Sequence, residues 1–564
     1  MKLFNDIKHI SPERWSALAA IWFVVSVMLP NIMLTATENY GFWTAACNLV
    51  LPSGIYLLWV TAARRGGVMV LWGFIFIFFA AFQIVLLSLF GNSIIGADMF
   101  TNLLTTNPGE ASELLANIGG SVAIVFALFL PLLALSIFIV VKRYRYGATF
   151  RRRMRRSGAA AMAAGLVLLL AAYLFEGGSV LRDRIFPVNV SYNLGLGISE
   201  LINVRRYDAT SEGFSYDARR TGRSDGREVY VFVIGEASRA CNWQLYGYQR
   251  ETTPRLARRN DICLFRNIVT QSNTTHKSVP MILSSVSTDR HDELYRRTGL
   301  PALFNEAGFD TWFVSNQAPQ GAMIDNLADD ADHVEYLSSD YDMSLVERTG
   351  AIIRDNPDRD LFIILHCYGS HFCYHQRYPR DFARFMPDDN VSISEQHAQQ
   401  LLNAYDNSIL YTDHVLASLV ETVEADGSCA AVLYCSDHGE DLLDDSRRRF
   451  LHASPTVTYY QLHVAAFAWF SEKYRELYPE RFEAAVANTA APATTRALFH
   501  TAADMASVES PYVDVSVALT SSDFDCDAPR FYLDDHNHAE EFGSAIGLTD
   551  EDMTMFRKMG IERL

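Results

Sequence analysis

Carboxylates, imidazoles and hydroxyls gather at a few points of this sequence, each just past a short apolar run. Gly235-Glu236 follows Val229–Ile234, and Thr274 and Thr275 follow Cys263–Thr270. His366 follows Leu361–Leu365 with His371 close behind. Asp437-His438-Gly439-Glu440 follows Ala430–Tyr434, and His452 comes next. These side-chain types are the ones a divalent zinc site takes. A single Asp-His pair is ordinarily a salt bridge or a cap, and paired threonines before a helix are ordinarily caps. Five such groups at successive strand ends are better explained by a metal centre. Asp437 and His438 leave one strand end together, and a sharp turn helped by Gly439 is needed for both to face one ion. Ser278–Ser284 reads as helix, so Thr274 and Thr275 lie at a strand-to-helix turn beside the positive end of a helix dipole, where anions are favoured.

The elements that must position these groups alternate from Glu228 onward. Strands are expected near Val229–Ile234, Thr311–Val314, Leu361–Leu365, Ala430–Tyr434 and Val464–Trp469, with helices between them at about Tyr341–Ile353, Glu395–Ala425 and Thr494–Ala506. Such alternation implies an α/β domain with a mainly parallel central sheet, whose reactive groups collect at the C-terminal ends of the strands.

The first third of the 564 residues is different. Five apolar segments, about Trp15–Leu34, Phe42–Ala62, Val68–Phe90, Ile118–Val141 and Gly158–Phe175, are near the length of a spanning helix. Lys2, Lys8 and Arg14, then Arg64 and Arg65, then the run from Lys142 to Arg156 all fall in connections on one side, and the other two connections hold no Lys or Arg. The positive-inside rule then predicts a cytoplasmic N-terminus, an uncleaved first anchor, and everything after about Glu176 on the opposite face. The expected organisation is a transmembrane domain of five helices at 1–176, a linker with some helix at 177–227, and a catalytic α/β domain at 228–564.

Charge divides along the same line. Residues 1–176 carry 13 Lys/Arg against 7 Asp/Glu, and the rest carry 35 against 58, for a net charge of -17. The acidic balance argues against nucleic acid as a partner. The eight cysteines show no CxxC or zinc-finger spacing, and Cys429 and Cys435 read as packed rather than paired. Dinucleotide, P-loop and HExxH signatures are absent. His536 and His538, in Asp534-Asp535-His536-Asn537-His538, read as solvated tail residues. In the long outward connection, Asn102 and Thr106 are one i,i+4 step apart. Asn107, Pro108 and Glu110 match the start of a helix, so Glu110 is either a capping carboxylate or a group placed to meet a lipid amine.

Taken together, the motifs resemble those of the membrane-bound phosphoethanolamine transferases that modify lipid A and other lipopolysaccharide parts, within the alkaline phosphatase and sulfatase superfamily. Val233–Ser238 with Leu245–Pro254, Thr275 with Ser278-Val279-Pro280, Gly369-Ser370-His371, Ser436–Glu440 with Phe450-Leu451-His452, and Phe499-His500-Thr501 carry the likeness. The resemblance implies Glu236, Thr275, Asp437 and His438 as ligands of one zinc, with a second zinc an open alternative and Thr275 the nucleophile. His371 and His452 would hold phosphoryl oxygens or that second ion, with His366 also on the substrate side. Asn102, Thr106 and Glu110 would receive the ethanolamine head group. The implied reaction takes phosphoethanolamine from phosphatidylethanolamine, through a covalent threonine intermediate, to lipid A or another lipopolysaccharide component, on the periplasmic face of a bacterial inner membrane. Two departures stand out. Gln271 and Met281 occupy places where family members often carry a cysteine, and a family lysine near the phosphate corresponds to Gln320, so Lys277 or His276 is expected to supply positive charge. The competing readings are a phosphoglycerol or glucan-directed transferase and a non-catalytic sensor of the same fold; the full set of inferred ligands weighs against the sensor.

Overall fold

The structure is a computed structural model and describes residues 11–38, 40–90, 94–105, 119–222, 226–389, 395–543 and 546–564. The chain divides into two compact units, one built of residues up to Phe100, Leu114–Gly197 and Arg447–Arg449, the other of Thr101–Glu113, Ile198–Ser446 and Phe450–Leu564.

In the first unit four helices are long and apolar enough to cross a membrane: Pro12–Thr37, Phe42–Val60, Gly119–Val141 and Ala148–Glu176. A fifth span exists if Gly66–Trp72 and Phe74–Ser88, bent by 55° at Gly73, count as one. Glycine at the bend has a packing cause. A Cβ on Gly73 would lie 2.8 Å from Phe23 Cζ and 2.9 Å from Trp59 Nε1, so the chain passes too close to its neighbours for a larger residue. The last segment, shortest in apolar content, belongs to the longest helix, because the basic run Arg151–Arg156 continues the same helix. Helices Phe42–Val60 and Ala148–Glu176 approach closely through small residues, where a Cβ on Gly54 or Gly165 would reach within 2.6 Å of the opposing backbone. Asn31 and Asn48 are bonded to each other inside this apolar unit, Asn31 Nδ2 donating to Asn48 Oδ1 at 2.9 Å and Asn48 Nδ2 to Asn31 O at 3.1 Å.

The second unit is organised around a seven-stranded sheet. Its strands are β1 (Glu228–Gly235), β2 (Ile262–Phe265), β3 (Asp310–Ser315), β4 (His333–Tyr336), β5 (Leu361–His366), β6 (Cys429–Ser436) and β7 (Ala466–Phe470), in the order β2-β7-β6-β1-β5-β3-β4. From β6 to β4 neighbours are parallel, and β7 and β2 add antiparallel pairs at one side. Strands β1, β5, β6 and β7 are buried at every residue, which matches their continuous apolar sequence and the two-sided cover of a parallel sheet. Helices Met343–Asp355 and Ala398–Glu424 pack against each other within this unit. The short β4 was not expected; His333-Val334-Glu335-Tyr336 has no apolar run, and it forms the edge strand, where such residues are tolerated. A separate antiparallel hairpin, β8 (Phe531–Leu533) and β9 (Ala539–Glu541), follows near the C-terminus.

Candidate active site

β1 and β6 lie side by side in parallel, with Gly235 opposite Ser436. The next residue of each strand is therefore Glu236 on one and Asp437 on the other, and both carboxylates emerge at the C-terminal edge of the sheet. Asp437 N donates to Gly235 O at 3.0 Å and holds the two ends in register. The following turn brings His438 back over them.

Hydrogen bonds then fix which atoms face inward. Asp437 Oδ1 accepts from the backbone N–H of Ala237 (3.0 Å) and of His438 (2.7 Å), while its Oδ2 accepts no hydrogen bond among the described residues and lies 3.2 Å from His438 Nε2. His438 Nδ1 donates to the carbonyl of Gly439 at 2.8 Å, which fixes the tautomer and leaves Nε2 with its lone pair. Gly439 is needed for a different reason from the turn freedom expected of it. A Cβ there would sit 2.0 Å from the carbonyl oxygen of Tyr460, so the chain can pass only without a side chain.

Thr275 arrives from another element. Thr274 is the N-cap residue of the helix Thr275–Ile282, but its side chain makes no capping bond, so the capping role expected of such a pair is not taken up. Thr275 is the first helical residue, and its Oγ1 lies 3.0 Å from His438 Nε2 and 3.4 Å from Glu236 Oε2. One ligand atom each from Glu236, Asp437 and His438 lies within 4.8 Å of the others, and all three side chains are fully buried. This donor set of two carboxylates and one imidazole, with a hydroxyl beside it, fits a zinc ion.

His452 joins the cluster. Its ring centroid is 3.9 Å from that of His438, its Nδ1 is 3.2 Å from Glu440 Oε2, and burial pushes its pKa down to about 4. Glu440 is pushed up to about 8 by burial. His371 faces the same side. Burial, then Arg377, His452 and His438, hold it well below the usual histidine range, and its Nδ1 is buried with no hydrogen-bond partner among the described residues. His366 closes β5 opposite Ile234 of β1, with Nδ1 3.2 Å from Ser315 Oγ.

Of the outward-loop trio, Asn102 lies in the helix Ala97–Thr105, while Thr106 and Glu110 fall outside the described residues. The two substitutes for the family lysine are differently occupied. Burial lowers His276 to about 4, which leaves it neutral at physiological pH, and Lys277 Nζ donates to Asp534 O at 3.1 Å. Gln320 Nε2 reaches Gln317 Oε1 at 3.5 Å, and Gln317 Nε2 in turn donates to Glu236 Oε2 at 3.2 Å and Cys367 O at 2.8 Å. Sequence reasoning missed Gln317, although it lies just past the end of β3, where the rule that found the other groups also applies.

Residues 228–508 match the sulfatase family. The Kdo(2)-lipid A phosphoethanolamine 7''-transferase of Escherichia coli (strain K12) is 27% identical over 424 residues, covering 69% of this chain and 73% of that protein. Among solved structures, the integral membrane lipooligosaccharide phosphoethanolamine transferase A of Neisseria meningitidis superposes with a TM-score of 0.72 at 22% identity, covering 89% of this chain and 98% of its own. The C-terminal periplasmic domain of EcEptC from Escherichia coli, in complex with Zn, gives a TM-score of 0.53 at 24% identity over 58% of this chain and 98% of its own. These last two likenesses establish the shared fold: membrane helices followed by an α/β domain with a mainly parallel sheet. Residues 228–508 are thus a sulfatase-family domain, and the relatives that the chain resembles are named phosphoethanolamine transferases.

Proposed function

We propose that this protein transfers phosphoethanolamine from phosphatidylethanolamine to lipid A or another lipopolysaccharide component, through a covalent intermediate on Thr275. The observation that carries the reading is the position of one hydroxyl: Thr275 Oγ1 stands 3.0 Å from His438 Nε2 and 3.4 Å from Glu236 Oε2, beside Asp437. A threonine hydroxyl is a poor nucleophile at neutral pH and needs activation.

Glu236, Asp437, His438 and Thr275 would hold one Zn²⁺, which when bound supplies Lewis-acid activation of the hydroxyl and charge neutralisation at phosphorus. Thr275 contributes the attacking oxygen at a helix N-terminus, where the dipole favours negative charge. As the Thr275 oxygen bonds to phosphorus and gives up its proton, the bond from phosphorus to the diacylglycerol oxygen breaks, and that oxygen takes up a proton to leave as diacylglycerol. An oxygen of the acceptor, a lipid A phosphate in this reading, then displaces Thr275. His371 and His452, both held neutral, would donate hydrogen bonds to phosphoryl oxygens. Gln317 orients Glu236. Asn102, Thr106 and Glu110 would receive the ethanolamine group, with the second unit on the periplasmic face of the inner membrane. Anchoring then confines enzyme, donor and acceptor to one surface and raises their effective concentration.

The test is the full-length protein with fluorescent phosphatidylethanolamine, scoring diacylglycerol release, together with mass spectrometry of lipid A from cells with and without the protein. Thr275→Ala should abolish both signals, and retained turnover in that variant would overturn the mechanism. Turnover of phosphatidylglycerol in place of phosphatidylethanolamine would reassign the donor.

A further inference from the structure

We propose that Asp534, His536 and His538, at the tip of the β8–β9 hairpin, form a second divalent-metal site that clamps the loop carrying Thr275. The reading of these residues as solvated holds for His538, whose side chain is 57% exposed, and not for His536. The side chain of His536 is only 15% exposed and that of Asp535 only 11%. They belong to an ordered turn, not to a free end.

The turn aligns three ligand types. Asp534 N donates to His538 O (2.9 Å) and Asn537 N donates to Asp534 O (3.0 Å), closing the hairpin. Asn537 takes φ 63°, the left-handed conformation that asparagine tolerates better than most residues. Asp534 Oδ1 accepts from the backbone N–H of His536 (2.8 Å) and of His538 (2.7 Å), which pins the carboxylate and aims Oδ2 at His538 Nδ1, 3.3 Å away. One ligand atom from each of Asp534, His536 and His538 lies within 4.8 Å of the others. Zinc bonds of about 2.1 Å place tetrahedral ligands roughly 3.4 Å apart, so small side-chain rotations close the site. Asp535 Oδ2 lies 3.8 Å from His536 Nε2.

A simple Asp534–His538 ion pair would account for one of these distances. It does not account for the third converging group or for the cover over His536. Two imidazoles and a carboxylate suit Zn²⁺, Cu²⁺ or Ni²⁺ rather than Ca²⁺ or Mg²⁺. The His538 side chain is 57% exposed, which leaves the ion open to water and exchangeable.

The hairpin is tied to the Thr275 loop at three points. Leu533 N donates to Gln271 O at 2.7 Å, Tyr532 OH donates to Asn273 Oδ1 at 2.7 Å, and Lys277 Nζ donates to Asp534 O at 3.1 Å. No disulfide braces that loop, since all eight cysteines are free. An ion that fixes Asp534 therefore also fixes the carbonyl gripped by Lys277, two residues from Thr275.

The experiment uses the full-length protein in detergent. It is stripped with a chelator and equilibrated by dialysis against micromolar Zn²⁺, beside His536→Gln/His538→Gln. The centre at Glu236, Asp437 and His438 is common to both proteins, so the difference isolates the hairpin. Wild type should bind one more equivalent than the double variant. His538→Gln alone, at a mostly exposed ring that cannot cost the fold, should weaken that equivalent at least tenfold. Equal stoichiometry, or unchanged affinity in the single variant, overturns the site. Hydrogen exchange of residues 271–277 should slow on zinc addition in wild type and not in the double variant. The extra equivalent without that slowing would overturn the clamp.

Discussion

Gly439→Ala is the smallest change that tests the geometry of the site. An added Cβ would lie 2.0 Å from Tyr460 O, 3.0 Å from Arg239 Cβ and 3.1 Å from Tyr460 C. Carbon and carbonyl oxygen rarely approach closer than about 3.3 Å, so the turn at Gly439 and the short helix Tyr459–Leu462 must part by roughly 1.3 Å. Gly439 N donates to Gln461 O (2.8 Å) and Glu440 N to Tyr460 O (3.0 Å), and separation at Tyr460 strains both bonds. The opposing segment is fully buried at Gln461 and Leu462, so much of the displacement falls on the stretch Asp437–Glu440. Overpacking of this kind costs about 1–3 kcal/mol of stability. A displacement of about 1 Å at reacting groups costs on the order of 10²-fold in rate, close to 2.7 kcal/mol of barrier. The assay is threefold: transfer from fluorescent phosphatidylethanolamine, zinc affinity by competition with a chelating dye, and thermal melting in detergent. Gly195→Ala is the control, since a Cβ there meets nothing within 4 Å. A Gly439→Ala protein with a rate within threefold of wild type and unchanged zinc affinity would refute the placement of Tyr460 against the turn.

Two further predictions concern the frame around the site. Arg239 is buried, pairs with both oxygens of Asp444 (2.7 and 2.8 Å), donates to Glu440 O (2.8 Å) and Asn242 Oδ1 (2.7 Å), and stacks over Tyr460; Arg239→Met should cost about 3–5 kcal/mol, read as a lowered melting temperature, and a melting curve matching wild type would contradict it. His463 donates from Nε2 to Arg266 O (2.8 Å), accepts from Tyr459 OH (2.9 Å) and is pushed down to about 4 by burial. Its unfolded form takes up a proton near pH 6.5, so its contribution is full above 6.5 and is lost as pH falls toward 4, by about 3 kcal/mol. The melting temperature should drop across that window, less steeply in His463→Gln, and equal slopes would dismiss the assignment.

Much of this architecture is legible in the sequence because burial writes itself as apolar continuity. Strands β1, β5 and β6 are covered on both faces, so Val229–Ile234, Leu361–Leu365 and Ala430–Tyr434 stand out, and the groups just past them include those that meet around Thr275. What was not legible depends on three-dimensional neighbours. The need for glycine at 73 comes from Phe23 and Trp59, and the edge strand β4 has no pattern of its own. The need for glycine at 439 comes from a carbonyl twenty-one residues away. Gln317 carries no motif, yet it holds Glu236. His536 looked solvated because its flanks are polar; the hairpin that covers it is set by pairing between β8 and β9.

Glu236 and Asp437 extend from adjacent strands locked in register through eight residue pairs. The gap between the two carboxylates is thus dictated by interstrand spacing and persists whether or not anything is bound between them. Metal loading at these carboxylates is then expected to leave the backbone of the two strands in place.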